Sequence, residues 1–252
     1  MAVAIVVAAG RGTRLGHERP KALVPLAGRP LLAWSLEALL AVPDLRRVVV
    51  ALPAGEALPA DPARWGLAPR AFAPLPGTDE PRVVAVAGGR ERSHSVRAAL
   101  AATGDGPDDE PVVVQDGARP LTTPALVDAC LAGVHAGADA AIAAAPVTDT
   151  VKQAHPDRPG AGLARVAATL DRSLLWAVQT PQAFRRDALR RALDQPDAVL
   201  AAATDDASLV EAAGGDVRLV PAPRSNLKVT VPEDLELATL LLARDDAPTV
   251  AG

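Results

Sequence analysis

An unbroken apolar run, Val3-Ala-Ile-Val-Val-Ala-Ala9, stops at the loop Gly10-Arg-Gly12-Thr-Arg14-Leu-Gly16 and is followed by Pro20-Lys21-Ala-Leu23. Without apolar–polar alternation, such a run reads as a parallel strand buried on both faces. Its glycine-rich end reads as a backbone loop delivered to a phosphate. The loop lacks the Gly-Lys-Ser/Thr ending of a Walker motif, having Gly12-Thr13-Arg14 instead. It also fails the dinucleotide pattern G-x-G-x-x-G, because Leu15 occupies the third glycine position. No acidic residue ends the strand expected at Arg47–Leu52, so a ribose-binding carboxylate is missing as well.

What remains is a glycine loop with two cations close behind it, Arg14 and Lys21. Cations so placed can neutralise a triphosphate and the charge that builds on a five-coordinate phosphorus, which is most of what nucleotidyl transfer needs. The plain alternative is that both are solvated surface charges. Composition bears on this choice. Of 26 basic residues only Lys21, Lys152 and Lys228 are lysine, so arginine serves here wherever a generic cation will do. A lysine kept against that bias suits a place that needs a compact point charge.

The 252 residues, 49% of them hydrophobic, suffice for a substantial core. Aromatic residues make up only 2%, which argues against a stacking platform for single-stranded nucleic acid. A net charge of −4 offers no overall attraction to nucleic acid or an anionic membrane, so phosphate binding must be local. Cys130 falls in an apolar helical pattern and reads as a core residue, and the four histidines are scattered, with His94 nearest a candidate site. There is no basic n-region and no stretch of membrane-spanning length, so a soluble cytoplasmic protein is expected.

Along the chain, strands expected near 3–9, 47–52, 83–87, 112–115, 138–145 and 216–220 alternate with helices near 30–40, 96–100, 124–136, 186–193, 204–211 and 232–243. That alternation predicts an α/β, Rossmann-like, mostly parallel sheet with helices on both faces, in a single domain over 1–252. Seven prolines between 53 and 82 mark a surface excursion, with a short helix near 62–66 and a short strand near 70–73. Gly88-Gly89-Arg-Glu-Arg-Ser-His-Ser95 ends a strand and starts a helix, which offers either free amides for a phosphate or a plain turn with a serine N-cap. Asp116 ends another strand and is either a magnesium ligand or a turn cap. Thr204 is read as a helix cap. Residues 146–153 and 165–172 read as a two-stranded ribbon with a bend at 155–162. Alone in water such a ribbon is marginal, so a dimerisation β-arm at about 146–174 is predicted. The last residues read as a disordered tail.

Taken together, Ala8-Ala-Gly-Arg-Gly-Thr-Arg14, Pro20-Lys21, Gly88–Ser95, Asp116-Gly-Ala-Arg119-Pro, Pro146–Lys152, Leu170-Asp-Arg172, Gln179-Thr180-Pro-Gln, Thr204-Asp-Asp-Ala and Asn226-Leu-Lys228-Val-Thr230 resemble the 2-C-methyl-D-erythritol 4-phosphate cytidylyltransferase family, in order and over nearly the whole chain. The resemblance implies a homodimer with an exchanged β-arm. It also implies cytidylyl transfer from CTP to a polyol phosphate in non-mevalonate isoprenoid biosynthesis, with Mg2+ present and pyrophosphate released. On this chain it implies Ala8, Ala9, Gly10, Gly12, Gly89 and Ser95 around CTP, and Arg14 and Lys21 on the pentacoordinate phosphorus. Asp116 would lie by the metal or sugar. Arg119, Thr180, Thr204, Asp205 and Lys228 would line the acceptor pocket, with Thr150 and Arg172 reaching in from a partner's arm. Two alternatives stand beside this one. The first is a cytidylyltransferase for another polyol phosphate such as ribitol 5-phosphate, and the second is a non-catalytic nucleotide-binding protein on the same fold.

Overall fold

The computed structural model describes residues 1–10, 12–16, 19–75, 77–155 and 163–245. The last residues, most of the bend at 155–162, and His17 lie outside the described residues.

Apolar runs with no polar partner face become the middle of a seven-stranded sheet. Its strands are β1 (Ala2–Val7), β4 (Leu45–Leu52), β5 (Val83–Ala87), β6 (Pro111–Asp116), β7 (Ala140–Pro146), β10 (Trp176–Arg185) and β11 (Val217–Pro221), in the order β11-β7-β10-β6-β1-β4-β5. Two two-stranded pieces stand apart from it: β2 (Pro25–Leu26) with β3 (Arg29–Pro30), and β8 (Lys152–Ala154) with β9 (Val166–Thr169). β1 pairs in parallel with both β4 and β6, and every residue of β6 is buried. One strand runs the other way. β10 is antiparallel to both β6 and β7, and its register shifts between Val178 and Gln182, around a cis Thr180–Pro181 peptide.

The α-helices of the described residues are α1 (Leu31–Leu40), α2 (Arg92–Ala101), α3 (Pro124–His135), α4 (Arg186–Leu193), α5 (Asp197–Ala202), α6 (Asp206–Ala212) and α7 (Pro232–Asp245). α1 and α3 cover one face of the sheet, packing Leu36, Leu39, Val127 and Leu131 on Val6, Val50 and Val113. α2, α4 and α6 cover the other, where Val96, Leu189 and Val210 meet Ile5, Val114 and Phe184. A third cluster seats α7 on the β2–β3 hairpin through Ala238, Val229 and Leu26. Cys130 is fully buried in the first core, and burial pushes its thiol up to about 12.

Several local expectations need correction. The strand expected at 70–73 is absent: the backbone there turns, and only an isolated bridge joins Pro74 to Pro81. Prolines without amide donors cannot sustain a ladder there. The short helix of the excursion is present as a 3-10 turn, Pro62–Trp65, capped by Asp61. Ser95 is not an N-cap, because α2 starts three residues earlier, behind Glu91. Thr204 is not the cap of α6: that position belongs to Asp205, whose carboxylate accepts from the amide of Ser208 at 2.9 Å.

Candidate active site

The parallel strands β1, β4, β5 and β6 end on one edge of the sheet, and β10 enters from that edge. At β1 the strand order turns back on itself, with β4 on one side and β6 on the other, leaving the crevice in which open α/β sheets bind ligands. Two adjoining cavities lie here.

The first, of about 300 Å³, is walled by the backbone after β1 at Ala8, Ala9, Gly10 and Gly12, and by Gly89 and Ser95 opposite. All six residues anticipated around the nucleotide therefore meet in one place. Gly88 makes this possible, since a Cβ there would come within 2.3 Å of the Ala9 Cβ. Ser95 works from inside the first turn of α2. Its hydroxyl accepts from the Gly89 amide at 3.0 Å and donates to the Glu91 carbonyl at 3.1 Å, which fixes the loop's shape.

Arg14 and Lys21 line the same cavity. Arg14 is exposed on the single 3-10 turn Thr13–Leu15, and Lys21 opens the next, Lys21–Leu23. The two turns are tied to the loop. The Lys21 amide donates to the Gly10 carbonyl at 3.3 Å, and Gly12, at φ +67°, leaves no room for a Cβ, which would lie 2.4 Å from that of Lys21. Lys21 is an unusual lysine: burial, helped by Lys228 and Arg14 and opposed by Asp116, lowers its ammonium from 10.5 to about 8. A half-buried cation among other cations, with no carboxylate of the described residues in ion-pair contact, is a site awaiting negative charge.

The second cavity, of about 370 Å³, is walled by Arg119, Thr180, Thr204 and Asp205. Arg92, Asp116 and Lys228 line both. Asp116 is the centre of this junction, with Lys228 Nζ 2.7 Å from Oδ2, Arg92 Nε 3.5 Å from Oδ1 and Arg119 Nε 3.9 Å from Oδ2. Burial alone would raise its pKa, but the three cations overcome that and hold the carboxyl at about 2. The buried Nε of Arg119 has no hydrogen-bond partner among the described residues.

Asn226 holds the junction together. Its amide donates to Gln179 Oε1 at 2.8 Å and to the Thr180 carbonyl at 2.9 Å, while its own backbone carbonyl accepts from Arg119 Nη1 at 2.7 Å. Three residues on, the amide of Val229 donates to the Ala118 carbonyl at 2.9 Å, which sets Lys228 beside Asp116. Thr180 is fixed the same way, its hydroxyl accepting from the Asp116 amide at 3.0 Å.

Thr150 and Arg172 line neither cavity. Both are exposed on the arm, where Arg172 Nη1 donates to the Thr148 carbonyl at 2.5 Å. Sequence reasoning assigned no role to Arg92, Asp206 or Asn226. All three fall inside motifs that carry the family resemblance, Arg92 in Gly88–Ser95, Asp206 in Thr204-Asp-Asp-Ala and Asn226 in Asn226–Thr230, but the contact between Arg92 and Asp206 spans 114 residues and leaves no local signal.

Comparison with known proteins finds relatives over nearly the whole chain. The sequence profile of 2-C-methyl-D-erythritol 4-phosphate cytidylyltransferase matches residues 2–244. A protein of that name from Rubrobacter xylanophilus is 43% identical over 96% of this chain and 95% of its own. Another from Frankia casuarinae is 46% identical over 96% of this chain and 82% of its own. The crystal structure of 2-C-methyl-D-erythritol 4-phosphate cytidylyltransferase from Thermus thermophilus superposes with a TM-score of 0.72 at 32% identity, over 96% of this chain and all of that one.

Proposed function

The chain belongs to the 2-C-methyl-D-erythritol 4-phosphate cytidylyltransferase family, and from that premise we propose which of its residues carry the reaction and how they divide the work. It is a CTP-dependent nucleotidyltransferase of isoprenoid biosynthesis, passing a cytidylyl group from CTP to 2-C-methyl-D-erythritol 4-phosphate. The observation that carries the residue assignment is the pair of cavities meeting at Asp116 and Lys228, one rimmed by glycine backbone and two cations, the other by arginine and hydroxyls.

CTP occupies the first cavity, its phosphates along the amides of residues 8–12 and its nucleoside toward Gly89 and Ser95. The acceptor phosphate enters the second, against Arg119 and Lys228, with Thr180, Thr204 and Asp205 around the polyol. An oxygen of that phosphate forms a bond to the α-phosphorus of CTP while the bond to the β-phosphate oxygen breaks, and pyrophosphate leaves with the electron pair. The nucleophile is already an anion, so no general base is required. Arg14 and Lys21 neutralise the charge that gathers on the five-coordinate phosphorus and the leaving group.

The donor set fits magnesium. Asp116 is the carboxylate common to both cavities and is ionised. No cluster of three or more His, Cys, Asp or Glu side chains suited to a metal occurs among the described residues. That arrangement suits a cation taking its other ligands from phosphate oxygens and water. When bound, it supplies further neutralisation of the triphosphate.

A homodimer joined through the arm completes the proposal. On and beside β8 and β9, Leu163, Val166 and Leu174 are 88%, 54% and 78% exposed, which a ribbon of this size does not sustain without a cover. A second copy would cover it and bring Thr150 and Arg172 to the neighbouring acceptor pocket. No helix among the described residues is long and apolar enough to cross a membrane. We assign the reaction to the cytoplasm, where a free, buried Cys130 raises no conflict.

Pyrophosphate release, followed with CTP and either 2-C-methyl-D-erythritol 4-phosphate or ribitol 5-phosphate, tests the acceptor. Turnover with the first and little with the second is expected; the reverse preference would overturn the assignment. Tight CTP binding with no release for any acceptor would instead mark a nucleotide-binding protein without catalysis.

A further inference from the structure

Arg92 is the first residue of α2, where the glycine loop becomes helix, and it borders both cavities. Its guanidinium spans two carboxylates. Nη1 is in contact with Oδ2 of Asp206, and Nε lies 3.5 Å from Asp116 Oδ1. Asp206 is fully buried in the first turn of α6, and its other oxygen, Oδ1, has no hydrogen-bond partner among the described residues. Burial would lower the pKa of Arg92, but Asp206 and Asp116 outweigh it and raise it, so the guanidinium stays charged.

Lys228 is held quite differently. Its side chain is 43% exposed, against 23% for Arg92, and among the described residues its ion-pair partner is Asp116. A phosphate entering the acceptor cavity meets Lys228 in a position already taken by Asp116. Lys228 can serve that phosphate only by giving up the carboxylate. Arg92, clamped at its far end by Asp206, cannot follow. Arg119, the third cation near Asp116 at 3.9 Å, is turned to that same phosphate in the reading above; a buried carboxylate left without any cation is strongly disfavoured, and Arg92 is the one that stays.

We propose that Arg92, locked in place by Asp206, is the permanent counter-ion of Asp116, and that this positioning role lets Lys228 pass from Asp116 to the acceptor phosphate. The proposal rests on the cytidylyl-transfer reading above, with Lys228 on the acceptor side. Without Arg92, Asp116 retains Lys228 and the acceptor must compete with a carboxylate for it. The hydrogen bonds that hold the nucleotide loop run among Gly89, Ser95 and Glu91 and do not use the Arg92 side chain. Arg92 thus acts through Asp116 and Lys228, not on the reacting atoms.

The test compares the wild-type enzyme with Arg92→Gln, Arg92→Lys, Lys228→Ala and the Arg92→Gln/Lys228→Ala double variant. Acceptor KM comes from pyrophosphate release and CTP affinity from calorimetry without acceptor. Arg92→Gln is expected to raise the acceptor KM at least tenfold while the CTP Kd moves less than threefold. Arg92→Lys should fall between, because an ammonium cannot span both carboxylates. Lys228→Ala should cost at least tenfold less in the Arg92→Gln background than in the wild type, since Lys228 is already withheld there. An acceptor KM within twofold of wild type, equal losses for CTP and acceptor, or additive effects of the two substitutions would overturn the proposal. Should Arg92→Gln fail to fold, a wild-type acceptor KM in Arg92→Lys overturns it equally. A wild-type enzyme that released no pyrophosphate with any polyol phosphate would sink the assigned reaction and this role together; an active wild type with unmoved Arg92 variants sinks only the role.

Discussion

Lys21 sits half-buried between Arg14 and Lys228 with its ammonium lowered to about 8, so its charge, and with it part of its use, depends on pH. Below pH 8 it is protonated in the free enzyme; above, it loses its charge. kcat/KM for CTP is therefore expected to fall as pH rises through about 8, and Lys21→Arg, which keeps its charge, should flatten that limb of the profile. Nucleotide binding above pH 8 should also take up a proton, read as a dependence of the calorimetric enthalpy on buffer. Removing the charge outright, as Lys21→Ala or Arg14→Ala, is expected to lower kcat by roughly 10²–10³-fold or more with circular dichroism unchanged. Near-normal turnover in either variant would remove that residue from the mechanism. Gly12 belongs to the same argument. Gly12→Ala strains a left-handed position and pushes into the Lys21 Cβ, so it should cost activity in the same way without deleting a charge. Most of these residues are visible in the sequence because glycines, a scarce lysine and a strand end mark them. Arg92 is not, being one arginine among many with its partner on a distant helix.

At the level of elements, apolar runs declared the strands. Ala4–Val7, Val48–Leu52, Val112–Val114 and Ala140–Ala145 offer no polar face, so they could only be buried on both sides. Helix starts were harder to place where cap-formers crowd together. Thr204 and Asp205 are both eligible, and only packing chooses Asp205, which also accepts from Gln182 Nε2 at 2.8 Å. The direction of β10 is equally silent in its residues, since it follows from where the arm brings the chain back. The β2–β3 turn allows a stability test. Ala27 has φ +47° and Gly28 φ +78°, a two-residue turn with both central residues left-handed. Asparagine tolerates that conformation better than alanine. Ala27→Asn is therefore expected to stabilise the fold by about 1 kcal/mol, read as a higher urea midpoint; an unchanged or lower midpoint would contradict the reading.

For the whole molecule, the assignment of Arg172 to a neighbour's site makes a prediction that mixing can check. Lys21→Ala and Arg172→Ala homodimers should each be poorly active. A mixed dimer of the two should regain one complete site, with Lys21 from the Arg172→Ala subunit and Arg172 from the other. Activity should therefore rise on co-refolding, and no gain would place Arg172 in its own subunit's site or in none. Sedimentation of the wild type should give twice the monomer mass. The reversed strand β10 bears on this arm in one further way. Most connections in this sheet must cross from one edge to the opposite one, so the sheet's breadth dictates their length. The segment between β7 and β10 leaves and re-enters on the same edge, and no such measure constrains it. Its length is free to change with the sheet untouched: exchanging residues 147–175 for a tight turn should leave a folded, monomeric α/β body, and grafting another protein's ribbon at those two points should give the same body a different neighbour.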